Sequence, residues 1–137
     1  MVKFMAGQKG EGKTKKLIEM ANAQVKLTDG HLVYIDDDRR HTREIDRDIR
    51  FVEAGRGELS NYREFIGFVL GILSQNSDIK HIYVDGLNNI IKTVDGESLI
   101  KLATRLTRMA KEEALAFTIS VNWEKEELPN EIVEMLV

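Results

Sequence analysis

Eight residues near the start of the chain, Gly7-Gln8-Lys9-Gly10-Glu11-Gly12-Lys13-Thr14, fit the spacing G-x-x-x-x-G-K-[ST] without deviation. The chemistry of that spacing is anion chemistry. The glycines let the backbone turn so that successive N–H groups point inward at a phosphate. A helix starting at the end of the loop adds its positive N-terminal end. Lys13 would reach the β- and γ-phosphates of a nucleoside triphosphate, and the Thr14 hydroxyl would ligate Mg²⁺. All eight residues, Gly7, Gln8, Lys9, Gly10, Glu11, Gly12, Lys13 and Thr14, are therefore candidates to hold ATP or GTP with Mg²⁺, and Lys13 is a candidate catalytic residue.

An acid must help hold that metal. Asp85 ends the apolar run His81-Ile82-Tyr83-Val84 and resembles a Walker B acid, which binds Mg²⁺ mostly through water. Gly86 follows it, so no catalytic glutamate stands directly after the acid. A second acidic run, Asp36-Asp37-Asp38, follows another apolar run and leads into Arg39-Arg40-His41. His31, His41 and His81 lack ligand spacing and there is no cysteine, which excludes disulfides, thiol nucleophiles and cysteine-ligated metals.

The elements that must position these residues alternate in type. Val2–Ala6 reads as a strand, and Thr14 to about Leu27 as a helix with Leu17, Ile18, Ala21 and Val25 on one stripe. His31–Ile35 is a β-branched and aromatic strand, the polar stretch 36–48 a loop with a short helix, and Ile49–Glu53 a weaker strand. Asn61–Ser74 is an apolar helix whose Asn61 and Glu64 resemble a capping box. His81–Val84 is the fourth strand. The segment from Asp95 or Gly96 to Ala114 carries Leu99, Leu102, Ala103, Leu106, Met109 and Ala110 at amphipathic spacing. Leu115–Val121 is the fifth strand. Pro129 suits a first helical position, so Asn130–Leu136 is a short last helix. Trp123, at a strand end, is expected to pack half-buried, with stacking on a nucleotide base the alternative. Met5, Met20 and Met109 fall on apolar stripes and are expected in the core, and Glu124–Glu127 reads as an exposed turn or helix start. The alternation predicts a single α/β domain over 1–137, with parallel strands, right-handed crossovers and helices on both faces. Ligands of such sheets bind beyond the carboxyl ends of the strands, which here are Ala6-Gly7, Asp36–Asp38, Asp85-Gly86 and Ser120-Val121-Asn122.

Composition narrows the function classes. The 137 residues are 42% hydrophobic and 31% charged, as in a folded globular chain. A net charge of −3 gives no support for nucleic-acid binding. No apolar run reaches the roughly 18 residues of a membrane span, and no signal peptide is visible, so a cytoplasmic location is expected.

At Tyr34-Ile35-Asp36-Asp37-Asp38 the chain resembles RecA-like ATPases, the ASCE division of P-loop NTPases. Those proteins carry a hydrophobic-Ile-Asp-x-acid run here, a Val-Asp-Ser-like Walker B similar to Val84-Asp85-Gly86, and a polar sensor after the next strand, similar to Asn122. The resemblance implies that Asp38 orients the attacking water and that Asn122 senses the nucleotide. It further implies a three-layer α/β/α core with a mainly parallel five-stranded sheet of order 3-2-4-5-1. The chain is also similar to short bacterial ATP-binding proteins, some labelled as twitching-motility pilus-retraction ATPases. They share the glycine-rich loop, Asp85-Gly86-Leu87 and Glu126-Glu127-Leu128-Pro129.

The expected function is Mg²⁺-dependent ATP binding with slow hydrolysis, as a small ATPase or nucleotide switch. Arg39, Arg40 or Arg56 could act on a neighbouring subunit, making activity depend on a homo-oligomer or protein partner. The alternatives are a nucleoside-type kinase, in which Asp37-Asp38-Arg39 would handle the acceptor, and a non-catalytic ATP-binding interaction module.

Overall fold

A computed structural model describes residues 1–137. Its elements are β1 (Val2–Ala6), α1 (Lys13–Val25), β2 (His31–Asp36), β3 (Ile49–Glu53), α2 (Tyr62–Ser74), β4 (Ile79–Val84), α3 (Leu87–Ile90), α4 (Gly96–Glu113), β5 (Ala116–Val121) and α5 (Asn130–Val133). Single 3₁₀ turns occupy Thr42–Glu44 and Lys125–Glu127. The protein is α/β, with all five strands parallel in one sheet. Their order is β1-β5-β4-β2-β3, or 3-2-4-5-1 when read from the β3 edge. β5 therefore separates the strand that enters the glycine loop from the strand that leads into Asp85.

Period-two alternation sends each strand's residues to two unlike faces. Val33, Ile35, Ile82, Val84, Phe117 and Ile119 join a core of 26 buried residues under α2, α4 and α5. Leu32, Tyr34, Tyr83 and Met5 meet Leu17, Ile18 and Ala21 of α1 in a core of only 9, because one long helix covers that face. Thr118 and Ser120 are buried among the same alternate positions of β5, so the face under α1 also carries polar groups. Phe4 is fully buried just before the loop. Truncating such a residue to alanine costs about 3–5 kcal/mol and would loosen the strand that aims the loop.

Several boundaries differ from the expectation. α1 stops at Val25 and never reaches Leu27, which is exposed. Asn61 caps α2 through the Glu64 N–H at 3.1 Å, but Glu64 returns its carboxylate to the Ser60 N–H at 2.8 Å, one residue before the cap. Complete capping boxes stand instead at Asp95 and Ser98, at the start of α4, and at Glu124 and Glu127. α3 was not expected, being only four residues long. The last helix ends at Val133 and not at Leu136, and Pro129 is its N-cap. Beyond it the chain is captured by a strand edge: the Phe4 N–H donates to the Met135 carbonyl and the Val137 N–H to the Phe4 carbonyl, each at 2.9 Å. Trp123 and Met20 are partly buried against the two cores, and Met5 and Met109 are buried within them. No helix is long and apolar enough to cross a membrane.

Candidate functional site

The carboxyl ends of β1, β2, β4 and β5 open into one cleft of about 280 Å³ that no hydrophobic side chain lines. Its centre is Asp85. Thr14 Oγ1 donates to Asp85 Oδ1 at 3.1 Å, joining residues 71 apart in sequence. Tyr34 donates its hydroxyl to Asp85 Oδ2 at 2.8 Å. Ser120 Oγ lies 3.4 Å from Asp85 Oδ1 and accepts the Gly86 N–H at 2.7 Å. Both oxygens of Asp85 are thus held by donors from three elements. Burial and the Asp85 charge push the Tyr34 phenol far above its ordinary range, so it stays a donor.

The glycine loop forms the opposite wall. Gly10 and Gly12 have φ of 89° and 83°, which favour glycine, and a Cβ on either would meet nothing within 4 Å. The space over the loop is therefore open to a ligand. The loop satisfies itself in the meantime. Lys13 Nζ donates to the carbonyls of Gly7 at 2.8 Å and Gln8 at 2.6 Å, and the Glu11 carboxylate accepts the Gln8 N–H. Burial pulls the Lys13 ammonium below its ordinary value, against the upward pull of Glu11, Asp85 and Glu124. The Gly7 N–H donates to the Trp123 carbonyl at 2.8 Å, which fixes the loop's start to the end of β5.

The third wall is acidic. Asp36 and Asp37 are only 3% and 2% exposed. Asp36 Oδ1 accepts the Asp37 N–H at 2.7 Å, and Asp37 Oδ2 accepts from Arg56 Nε at 3.1 Å. Asp36 Oδ2 and Asp37 Oδ1 have no hydrogen-bond partner. Burial, reinforced by the Asp37 carboxyl and the Asp85 charge, pushes Asp36 up to about 8. Asp38 turns the other way. It accepts the Arg40 backbone N–H at 3.0 Å and Arg40 Nε at 2.9 Å, and these bonds hold it below its ordinary value.

Of the residues singled out in the sequence, Lys9, Gly10, Gly12, Lys13, Thr14, Asp85 and Asn122 line the cleft. Gly7, Gln8, Glu11 and Asp38 do not. The water-orienting role that the resemblance implies for Asp38 therefore meets a carboxylate paired with Arg40. The three arginines considered for a neighbouring subunit are all engaged within the chain: Arg40 with Asp38, Arg56 with Asp37, and Arg39 over the Phe51 ring at 5.2 Å. Sequence reasoning did not single out Tyr34 or His41 as site residues, and it took Asp36 and Asp37 only as part of the acidic strand end, with Asp37 an acceptor-handling group in the kinase alternative. Tyr34 and Asp36 share a strand face, and that parity was the available signal. His41 lines the cleft with Nδ1 2.7 Å from Glu44 Oε2, a contact between residues three apart.

No family model matches the chain, and no curated protein is detectably similar to it. The chemistry rests on the donor set itself. A backbone loop with Lys9, Lys13 and Arg40 suits a polyphosphate, and the oxygens of Thr14, Asp85, Asp36 and Asp37 are the hard ligands that Mg²⁺ takes.

Proposed function

We propose that this chain binds a nucleoside triphosphate with Mg²⁺ and hydrolyses it slowly, as a small ATPase or nucleotide switch on a P-loop core of RecA-like type. The observation that carries the reading is the 3.1 Å contact between Thr14 of the glycine loop and Asp85 at the end of β4. A chance glycine turn has no reason to bring its hydroxyl onto a buried acid two strands away. The open positive-φ glycines and the cations of the cleft support the same reading.

The roles follow from the positions. The N–H groups of residues 10–14 and the N-terminus of α1 receive the phosphate oxygens. Lys13 exchanges the Gly7 and Gln8 carbonyls for the β- and γ-phosphates. Arg40, half-exposed at the cleft rim, moves from Asp38 onto the terminal phosphate, which releases Asp38 to orient a water. Asn122 faces the phosphates from the end of β5. Thr14 and Asp85 would hold Mg²⁺, which would supply charge neutralisation on the phosphates. Turnover is slow because Asp38 must first be freed and Gly86 offers no base.

Thermal melts test the reading. A ligand that binds only the folded chain adds about 2.7 kcal/mol at 100 times its dissociation constant. Saturating ATP with Mg²⁺ raises the melting temperature, and Lys13→Ala loses most of that rise. Identical melts with and without nucleotide refute the proposal.

A further inference from the structure

We propose that Asp36 and Asp37 form a divalent-cation site that fills without nucleotide and is separate from the Thr14–Asp85 pair. The argument is a count of oxygens. Both oxygens of Asp85 already accept hydrogen bonds, from Thr14, Ser120 and Tyr34. The buried oxygens left without any hydrogen-bond partner are instead Asp36 Oδ2 and Asp37 Oδ1. Native proteins seldom leave buried carboxylate oxygens without a donor or a cation.

The two acids are well arranged for a cation. Asp36, Asp37 and Asp38 each offer an oxygen, and these three atoms lie within 4.8 Å of one another. A backbone hydrogen bond fixes the pair, since the Asp37 N–H is bonded to Asp36 Oδ1 and so holds the Asp36 carboxylate in place. Arg56 takes only Asp37 Oδ2. Arg40 approaches Asp37 Oδ1 at 3.7 Å, too far for a hydrogen bond, and its 55% exposed side chain can withdraw into water. The ligands are all hard oxygens, and the adjoining cleft of about 280 Å³ has room for the waters that a small divalent ion retains. The ion is therefore of the Mg²⁺ or Mn²⁺ class, and its binding needs no nucleotide.

The test uses Mn²⁺ as the probe and the full chain without nucleotide, with free Mn²⁺ read by electron paramagnetic resonance. One ion binds to the native chain and to Lys13→Ala. Asp36→Asn or Asp37→Asn, near-isosteric changes whose folding is checked by melting, weakens binding at least tenfold, whereas Thr14→Ala changes it less than threefold. Absence of binding at millimolar Mn²⁺, binding that survives both asparagine variants, or binding lost in Thr14→Ala overturns the proposal. Should an asparagine variant fail to fold, Mn²⁺ broadening of backbone amide resonances in the native chain decides. Broadening centred on residues 36–38 supports the site, and broadening centred on Thr14 overturns it. Because Lys13→Ala keeps this ion while losing nucleotide, failure here and failure of the nucleotide reading give different results.

Discussion

The sheet face under α1 buries polar groups at both of its ends, and the two ends treat them differently. Toward the amino end, His81 and Thr118 meet at 2.8 Å, and the imidazole stacks on Tyr83 with ring centres 4.1 Å apart. Burial, with some help from the amino-terminal charge, pushes His81 down to about 4, so the ring is neutral and its polar atom is matched. At the carboxyl end, Tyr34, Thr14 and Ser120 satisfy Asp85, but Asp36 and Asp37 keep two oxygens without donors. A matched buried polar pair serves the fold. An unmatched one is a standing capacity for a ligand, here a proton or a metal ion competing for the same oxygens.

The largest expected effect exploits the titration of Asp36. Its folded value is raised from 3.8 to about 8, so the folded state holds the proton more tightly than the unfolded chain. The stabilisation is complete below the unfolded value and is lost as pH rises through about 8. Metal-free denaturant melts should show this fall, and Asp36→Asn should flatten it. His81 gives the opposite arm. Its folded value is lowered from 6.5 to about 4, so its contribution is present above 6.5 and lost as pH falls through about 4. A metal-free stability that climbs steadily between those limits and on past pH 8 would break the comparison.

Next in size is Tyr34→Phe, which strips a charge-assisted hydrogen bond from Asp85. We expect a loss of about 1.5–3 kcal/mol in urea unfolding. Thr118→Val tests the matched end and leaves the His81 nitrogen without a partner, at about 1–3 kcal/mol. A smaller loss for Tyr34→Phe than for Thr118→Val would show that Asp85 is less dependent on its donors than the geometry says. The smallest stability effect belongs to Asp38→Asn, because its pair with half-exposed Arg40 is a surface one, worth below about 1 kcal/mol. The same variant should lower ATP turnover in a phosphate-release assay with nucleotide affinity nearly unchanged. Unaltered turnover would remove Asp38 from the reaction.

Local pattern carried much of this into view. The apolar stripe of α4 and the β-branched runs of β2 and β5 read directly, since period 3.6 and period 2 are properties of short windows. The loop and Asp85 were legible as residue types, and the cleft gathers the strand ends on which they sit. What escaped depends on contacts across distance. The bond from Tyr34 to Asp85 spans 51 residues, and the one from Arg56 to Asp37 spans 19. Among three consecutive aspartates, no window reveals which turn inward. That depends on β2 ending at Asp36 and on Arg40 folding back to claim Asp38. The last helix was overextended because the apolar pattern of Ile132, Val133, Met135 and Leu136 serves a helix and a strand edge alike. The free edge of β1 decided between them.

That capture of the chain's end by Phe4 also governs how this sheet could be extended. An unpaired strand edge is a template on which another chain can add, the usual route to swapped dimers and fibrils. The two hydrogen bonds of Met135 and Val137 occupy the middle of β1, so a foreign strand cannot register along it beside the glycine loop. β3 pairs only with β2, and its exposed Arg50 and Glu53 discourage apolar adhesion without blocking the backbone. Any assembly built by strand addition must therefore grow from β3, on the side of the aspartates and away from the loop.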